Sequence, residues 1–99
     1  MNFTLNTVYS IKLTSGEELV AKVTKVDGHN ITVQNPLSVA PGPQGMGLMH
    51  SMFTADPDSE ITLNSNTITM AAPTDSSVKS KYVEATTGLV IPDKKIIMG

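Results

Sequence analysis

The longest regular pattern in the chain lies at residues 8–34, which read VYSIKLTSGEELVAKVTKVDGHNITVQ. Apolar residues alternate with polar ones at Tyr9, Ile11 and Leu13, which is the period of a strand with one buried face. Gly16 then supplies a residue that turns the chain at low cost. The opening of this stretch therefore predicts a strand followed by a turn.

The second run of the same stretch changes parity along its length. The apolar face that begins at Leu19 continues for three alternate residues, but Val26 falls on the opposite side. This shift predicts a bend or bulge near Thr24-Lys25. Asp27-Gly28 favours a tight turn into a third strand. Residues 8–34 thus predict an antiparallel meander.

Strand and turn signals continue as far as Pro73. The predicted elements are a loop or wide hairpin at residues 41–45, a fourth strand at 46–55, a short extended piece at 60–63 and a fifth strand at 67–72. In the fifth strand, Ile68, Met70 and Ala72 are predicted to share one face.

The period changes after Pro73. Val78, Tyr82 and Ala85 follow a helical spacing, which predicts an amphipathic helix over residues 76–86, capped by Thr74 or Asp75 and ended at Gly88. Residues 89–99 then form either a tail with a turn at 92–93 or one more strand. We expect a β domain over residues 1–73, with residues 74–99 packed on it.

Composition excludes several classes of protein. The 99 residues contain no Cys, which excludes disulfide scaffolds, thiol catalysis and Cys-ligated zinc. Seven Lys, no Arg and nine acidic residues give a net charge of −2, which supplies little phosphate neutralisation. Val, Ile and Thr make up 28 residues and favour β structure. With no long apolar run and no export signal at its start, we expect a mostly β, soluble cytoplasmic protein.

Charge is absent from two long intervals. Residues 28–55 and 61–74 carry no formal charge, and they contain the predicted third, fourth and fifth strands. Free sheet edges are usually protected by Lys, Pro or bulges. The fourth and fifth strands are therefore either central strands of a monomer or edges that pair between subunits, where Met46, Met49 and Met52 would form an adaptable apolar contact.

Residues 8–31 carry a resemblance to a known family. The alternating apolar residues, Gly16 at the first turn, and Asp27, His29 and Asn30 at the second turn resemble the first motif of the Sm and Sm-like (LSm) proteins.

The second motif and the helix extend this resemblance. Residues 63–70, LNSNTITM, are similar to the family's second motif, with Asn64 and Ser65 at its Arg and Gly positions. The C-terminal helix resembles that of small Sm-like proteins encoded by bacteriophages, including phages of cyanobacteria.

The resemblance implies a fold, an assembly and a ligand. The fold would be a strongly bent, five-stranded antiparallel small barrel with a short C-terminal helix. The assembly would be a homo-oligomeric ring, commonly of five to seven subunits and including pentamers, in which the fourth strand pairs with the fifth strand of the next subunit. At the pore, single-stranded RNA would stack on His29 and bind Asn30, with Asn64 and Ser65 in the supporting positions.

The remaining motifs indicate no enzyme. Residues 42–47 are rich in Gly but lack the spacing of a phosphate-binding loop. Residues 56–60 resemble the start of a calcium loop, yet Ile61 and Thr67 replace the required Gly and Glu. His50 and Ser51 are neighbours on a strand and so point to opposite faces. We predict no catalytic residue, no cofactor and no metal site.

Two functions follow as expectations. The first is a non-enzymatic, ring-forming Sm-like protein that binds single-stranded RNA at its pore, in the host cytoplasm if it is encoded by a phage. The alternative is a ring that serves as a structural or protein-interaction module of a phage without binding RNA. An ordinary hairpin turn would also explain Asp27-Gly28-His29-Asn30, because these residue types favour turns.

Overall fold

The computed structural model describes residues 2–43, 45–56 and 58–87. Within these residues the chain is mostly β, with one α-helix near its C-terminal end. The elements are β1 (Thr7–Leu13), β2 (Glu18–Asp27), β3 (Asn30–Gly42), β4 (Gly45–His50), β5 (Glu60–Asn64), a 3-10 helix (Ser65–Thr67), β6 (Ile68–Pro73) and α1 (Ser76–Thr87). The predicted meander of the first three strands is confirmed.

The strands form one open antiparallel sheet. Its order is β4-β3-β2-β1-β6, and β5 also pairs with β3. Residues 30–34 of β3 pair with β5, whereas residues 37–42 pair with β4. The change of partner occurs around Asn35, whose φ is +48°. Asn tolerates this left-handed conformation better than most residues.

Strand β2 is irregular where the parity shift predicted it. Its register with β3 shifts between Val20 and Lys22 and again between Val23 and Lys25. The bulge predicted near Thr24-Lys25 is therefore confirmed. Such irregularities increase the local twist and bend a strand.

Two apolar clusters lie on opposite faces of the sheet, because neighbouring residues of a strand point to opposite sides. The first contains Tyr9, Ile11, Leu19, Ala21, Val23, Ile31, Val33 and Ile68. The second contains Val8, Val20, Leu37 and Tyr82. Val33 and Leu37 would share a face of a regular strand. They lie in different clusters because the positive φ of Asn35 interrupts β3 between them.

Helix α1 covers the second cluster. Tyr82 is only 3% exposed, and Val78 and Val83 pack beside it. The predicted third member of the stripe is wrong, since Ala85 is exposed. Asp75 accepts hydrogen bonds from the backbone N–H and the hydroxyl of Ser77, as expected of a cap. These bonds hold the pKa of the Asp75 carboxyl below its usual range.

The sequence underestimated the strands between residues 36 and 64. Residues 41 and 42 were predicted to lie in a loop, but Pro41 and Gly42 pair with Met46 and Gly45. Gly45 has a φ of +106°, which helps to close a tight hairpin. The fourth strand ends at His50 instead of residue 55, and the extended piece at 60–63 is a full strand, β5. The described chain therefore has six strands where five were expected.

Strand β6 also differs from its predicted pattern. Ile68 is buried, but Met70 is 66% exposed and Ala72 is exposed as well. The register against β1 shifts because Lys12 pairs with Met70 while Leu13 pairs with Ile68, which leaves one extra residue in β6. This bulge reverses the faces after Ile68 and turns Ala71 toward the first cluster.

Some predictions concern residues outside this description. Gly88 as the helix end and residues 89–99 as a tail or strand lie outside the described residues. In the described part of the chain, no helix has the length and apolar character needed to cross a bilayer.

Candidate functional site

The four residues predicted to bind RNA lie together at one end of the sheet. Asn30 begins β3 and is the cross-strand partner of Asn64, which ends β5. His29 precedes Asn30, and Ser65 follows Asn64. The pairing of β3 with β5 therefore brings residues 29–30 next to residues 64–65, although 34 positions of sequence separate Asn30 from Asn64.

Two hydrogen bonds join His29 to Ser65. The backbone N–H of Ser65 donates to the His29 carbonyl oxygen at 2.7 Å. The Ser65 Oγ lies 3.1 Å from His29 Nδ1. His29 is exposed and Ser65 is partly buried. The backbone of the turn is thus fixed to the 3-10 helix, and the imidazole is held at one of its two nitrogens.

The β2–β3 turn explains why His29 is exposed. Asp27 pairs with Asn30, so the turn consists of Gly28 and His29 alone. Gly28 adopts a φ of +61°, a conformation that a side chain would strain. Asp27-Gly28-His29-Asn30 therefore forms an ordinary hairpin turn. The same turn places the His29 ring at the tip of the hairpin.

Asn64 also has a local structural role, which is typical of Asn in a turn. Its side-chain Oδ1 accepts a hydrogen bond from the Asn66 N–H at 2.9 Å, and its carbonyl accepts one from the Thr67 hydroxyl at 2.7 Å. Asn64 thus caps the 3-10 helix that leads into β6. With Oδ1 engaged, the Nδ2 group is the part of the exposed amide that offers donors to a ligand.

The charge around this site is small. Asp27 is the cross-strand partner of Asn30, and Lys25 lies on the same hairpin opposite Thr32. Both side chains are exposed. Residues 61–74 carry no formal charge. The site therefore offers a ring, amides and a hydroxyl, with one carboxylate (Asp27) and one ammonium group (Lys25) on the neighbouring strand.

The other polar motifs have local structural roles. Asp56 Oδ1 accepts from the Asp58 N–H at 2.9 Å, and the Asp56 carbonyl accepts from Ser59, as in a solvated turn. His50 is exposed on β4 opposite Leu37. Among the residues that the structure describes, no group of three His, Asp or Glu side chains could hold a metal ion.

Three strands of the sheet have a free side. Within residues 2–43, 45–56 and 58–87, β4 and β5 pair only with β3, and β6 pairs only with β1. Strand β5 contains Glu60, whereas β4 and β6 contain no charged residue. The borders at β4 and β6 therefore lack the charges that usually discourage pairing with another chain, although β6 contains a bulge and ends at Pro73.

Large apolar side chains are exposed on these borders and near them. Met46 and Met49 lie on β4 and are 65% and 47% exposed, and Met70 on β6 is 66% exposed. Phe53, between β4 and β5, is 80% exposed. The sequence had indicated a contact at Met46, Met49 and Met52. It missed Met70 because the bulge in β6 has no simple residue signature, and it missed Phe53 because residue 53 was assigned to a strand.

Comparison with protein-family models gives no match, and comparison with curated proteins gives none either.

Proposed function

We propose that this protein is a non-enzymatic, Sm-like subunit of a homo-oligomeric ring that binds single-stranded RNA at its pore. One observation supports the proposal above all. The β2–β3 turn contacts the 3-10 helix between β5 and β6, so His29 and Asn30 lie beside Asn64 and Ser65, which are far away in sequence.

A strongly bent barrel is the finer form of the fold that we propose. Two irregularities in β2 and the partner change of β3 at Asn35 favour strong curvature. The first apolar cluster joins residues of β1, β2, β3 and β6, and Ile61 and Leu63 of β5 pack against it. A sheet that curls around this cluster would cover it from both sides. A 3-10 helix between β5 and β6 fits the same arrangement.

Ring closure would use the free borders of β4 and β6. Strand β4 of one subunit would pair with β6 of the next, and because these are different surfaces the contact is head-to-tail and can close into a ring. We propose a ring of about five to seven subunits from the resemblance to Sm-like proteins. The exposed Met46, Met49 and Met70 lie on the strands that would meet.

RNA binding would rest mainly on stacking. An exposed imidazole can stack on a base, and such contacts are worth roughly 1–3 kcal/mol per base. Repetition around a ring would multiply this contact. With a net charge of −2, phosphate neutralisation would contribute little. We therefore expect weak binding by each subunit and a modest dependence on salt.

The assembly is tested by changing one border. Native mass measurement of the wild-type protein should give a closed oligomer, and Met49→Lys should give monomers because it adds a charge to the free border. Leu5→Lys adds the same charge at a comparably exposed apolar side chain outside the strands and should leave the oligomer intact. A wild-type protein that is monomeric at all concentrations would contradict the ring.

The RNA site is tested by removing the ring of His29. Short U-rich and A-rich RNAs are titrated at low and moderate salt against the wild type, His29→Ala and His50→Ala. Loss of one stacked base should weaken binding about 5-fold or more in His29→Ala. His50→Ala, which removes the other exposed histidine, should bind as the wild type does. Absence of binding even at low salt would remove the RNA proposal.

A second function is favoured by the exposed apolar side chains. Phe53 lies outside the strands that would close the ring, and it is 80% exposed. Exposed aromatic side chains are enriched at protein contacts. A ring that serves as a structural or protein-interaction module, without RNA, is therefore the alternative. It is favoured if the oligomer forms but binds neither RNA.

A further inference from the structure

The contact between Ser65 and His29 bears on how the proposed site would respond to pH. Ser65 is the residue whose hydroxyl lies 3.1 Å from His29 Nδ1, while the backbone bond between the same two residues fixes the turn. His29 Nε2 has no such contact within the described chain. One nitrogen is therefore engaged inside the protein, and the other is the nitrogen available to a ligand at the exposed tip.

A hydroxyl is suited to both charge states of an imidazole. It donates to Nδ1 when that nitrogen carries no proton, and it accepts from Nδ1 when the nitrogen is protonated. The contact between Ser65 and His29 can therefore persist when the imidazole gains a proton. The ring would keep its orientation while its charge changes, and histidine is the side chain whose charge ordinarily changes between about pH 5 and 8.

The charged groups around the turn are few. From β2, Asp27 pairs with Asn30 and Lys25 pairs with Thr32. From β5, Glu60 lies at the far end of the strand, where its Oε2 accepts hydrogen bonds from Thr24 and Gln34. The 3-10 helix and β6 carry no charge. Protonation of His29 would therefore add a positive charge to a turn whose other charges are the Asp27 carboxylate and the Lys25 ammonium.

We propose that Ser65 is a positioning residue for His29 and that protonation of His29 strengthens the binding of single-stranded RNA without reorienting the ring. This inference rests on the proposed function. The neutral imidazole would offer a stacking face, and the protonated imidazole would add an attraction to phosphate. Affinity should therefore rise as pH falls from about 7.5 to about 5.5, by roughly fivefold. The salt dependence of binding should become steeper over the same range.

Protonation and RNA binding must favour one another equally. If binding is tenfold tighter to the protonated form, bound RNA must move the titration midpoint of His29 upward by about one pH unit. Nuclear magnetic resonance follows the imidazole signals of His29 and His50 separately. His50 lies on β4 and serves as the internal reference, because its midpoint should not move.

Substitutions at His29 separate the charge from the ring. The titration of U-rich and A-rich RNA at the two pH values is repeated with His29→Phe, which keeps an aromatic face but cannot be protonated. This variant should bind at both pH values with no pH dependence. His50→Gln should retain the pH dependence of the wild type. If His29→Phe shows the same pH dependence as the wild type, the charge does not reside on His29 and the inference is overturned.

Substitutions at Ser65 test its positioning role without RNA. The nitrogen chemical shift of His29 Nδ1 reports its hydrogen bond in the free protein. Ser65→Ala should move this shift because the nitrogen loses its partner, and Ser65→Thr, which keeps a hydroxyl, should restore it. An unchanged shift in Ser65→Ala overturns the positioning role.

The outcomes of these experiments distinguish the two proposals. Binding at both pH values with equal affinity overturns the role of protonation and leaves RNA binding in place. Absence of binding at both pH values and low salt overturns the proposed RNA function and the pH effect together. In that case the nitrogen chemical shift of His29 Nδ1 still tests whether Ser65 contacts the imidazole.

Discussion

Tyr82 joins α1 to the sheet, and its replacement by Phe should have opposite effects at neutral and alkaline pH. The side chain is 3% exposed, and its hydroxyl donates a hydrogen bond of 2.9 Å to the Gln34 carbonyl oxygen. Tyr82→Phe keeps the ring in the second apolar cluster and removes this bond. At neutral pH we expect the free energy of unfolding to fall by about 1 kcal/mol.

The alkaline effect follows from the same burial. Burial raises the pKa of Tyr82 to about 12, whereas an unfolded tyrosine has a pKa of about 10. Below pH 10 both states hold the proton, so the contribution to stability is complete. Between about pH 10 and 12 the unfolded chain loses its proton first, and the free energy of unfolding should fall by at most about 2 kcal/mol. Tyr82→Phe cannot show this loss.

The two curves should therefore cross. Wild type should be more stable by about 1 kcal/mol at neutral pH and less stable by a similar amount near pH 12. Urea unfolding followed by circular dichroism at stepped pH measures both. Tyr9→Phe retains Tyr82 and should keep the alkaline loss. Lysine titration affects all variants alike. Parallel curves for wild type and Tyr82→Phe between about pH 10 and 12 would refute this account of the buried hydroxyl.

Substitutions at three further positions test the fold. Ile11 is fully buried, so Ile11→Ala should lower the free energy of unfolding by about 3 kcal/mol in a urea titration. A loss below about 1 kcal/mol would place this side chain outside the core. Asn35→Gly should leave the free energy of unfolding nearly unchanged, whereas Asn35→Val should lower it by roughly 1–2 kcal/mol because of the positive φ. Equal stabilities of these two variants would argue against the change of strand partner at Asn35. Because its bonds to Ser77 lower the pKa of Asp75, this group stabilises the protein above the usual Asp range and loses that effect as pH falls through the lowered pKa. Asp75→Ala should therefore show a weaker acid dependence of thermal unfolding than the wild type, and an identical dependence would contradict the cap.

The strands of the meander could be predicted because their signals are local. Alternation at Tyr9, Ile11 and Leu13, the turn at Asp27-Gly28 and the parity shift at Val26 are all visible within a few residues. The structure contains all three features, with the turn one residue later, at Gly28-His29. Local alternation and turn chemistry are the most direct sequence signals of a half-buried strand.

The later strands could not be predicted fully because their form depends on partners far along the chain. Pro41 and Gly42 extend β3 only because β4 folds back beside them. The bulge in β6 is set by its register against Lys12 and Leu13 of β1. Ala85 fits the spacing of Val78 and Tyr82 better than Val83 does, yet the position of the sheet makes Val83 the residue that packs.

The candidate site was predicted in membership but not in its internal bonds. The resemblance to Sm-like proteins named His29, Asn30, Asn64 and Ser65, and the structure brings all four together. The bond of Ser65 to the imidazole could not be predicted, because only the pairing of β3 with β5 brings these two residues together. The bond of Asn64 to the Asn66 N–H is local and is typical of Asn in turns. The function itself stays a proposal.

Helix α1 and the outer strand β4 share one apolar cluster. Val78 and Val83 of the helix pack with Val39 of β3 and Leu48 of β4 against the same buried residues. Loosening the helix would therefore withdraw support from the hairpin that carries the proposed β4 contact. A substitution that loosens α1 would thus also weaken the proposed self-association, although it alters no residue of β4 or β6.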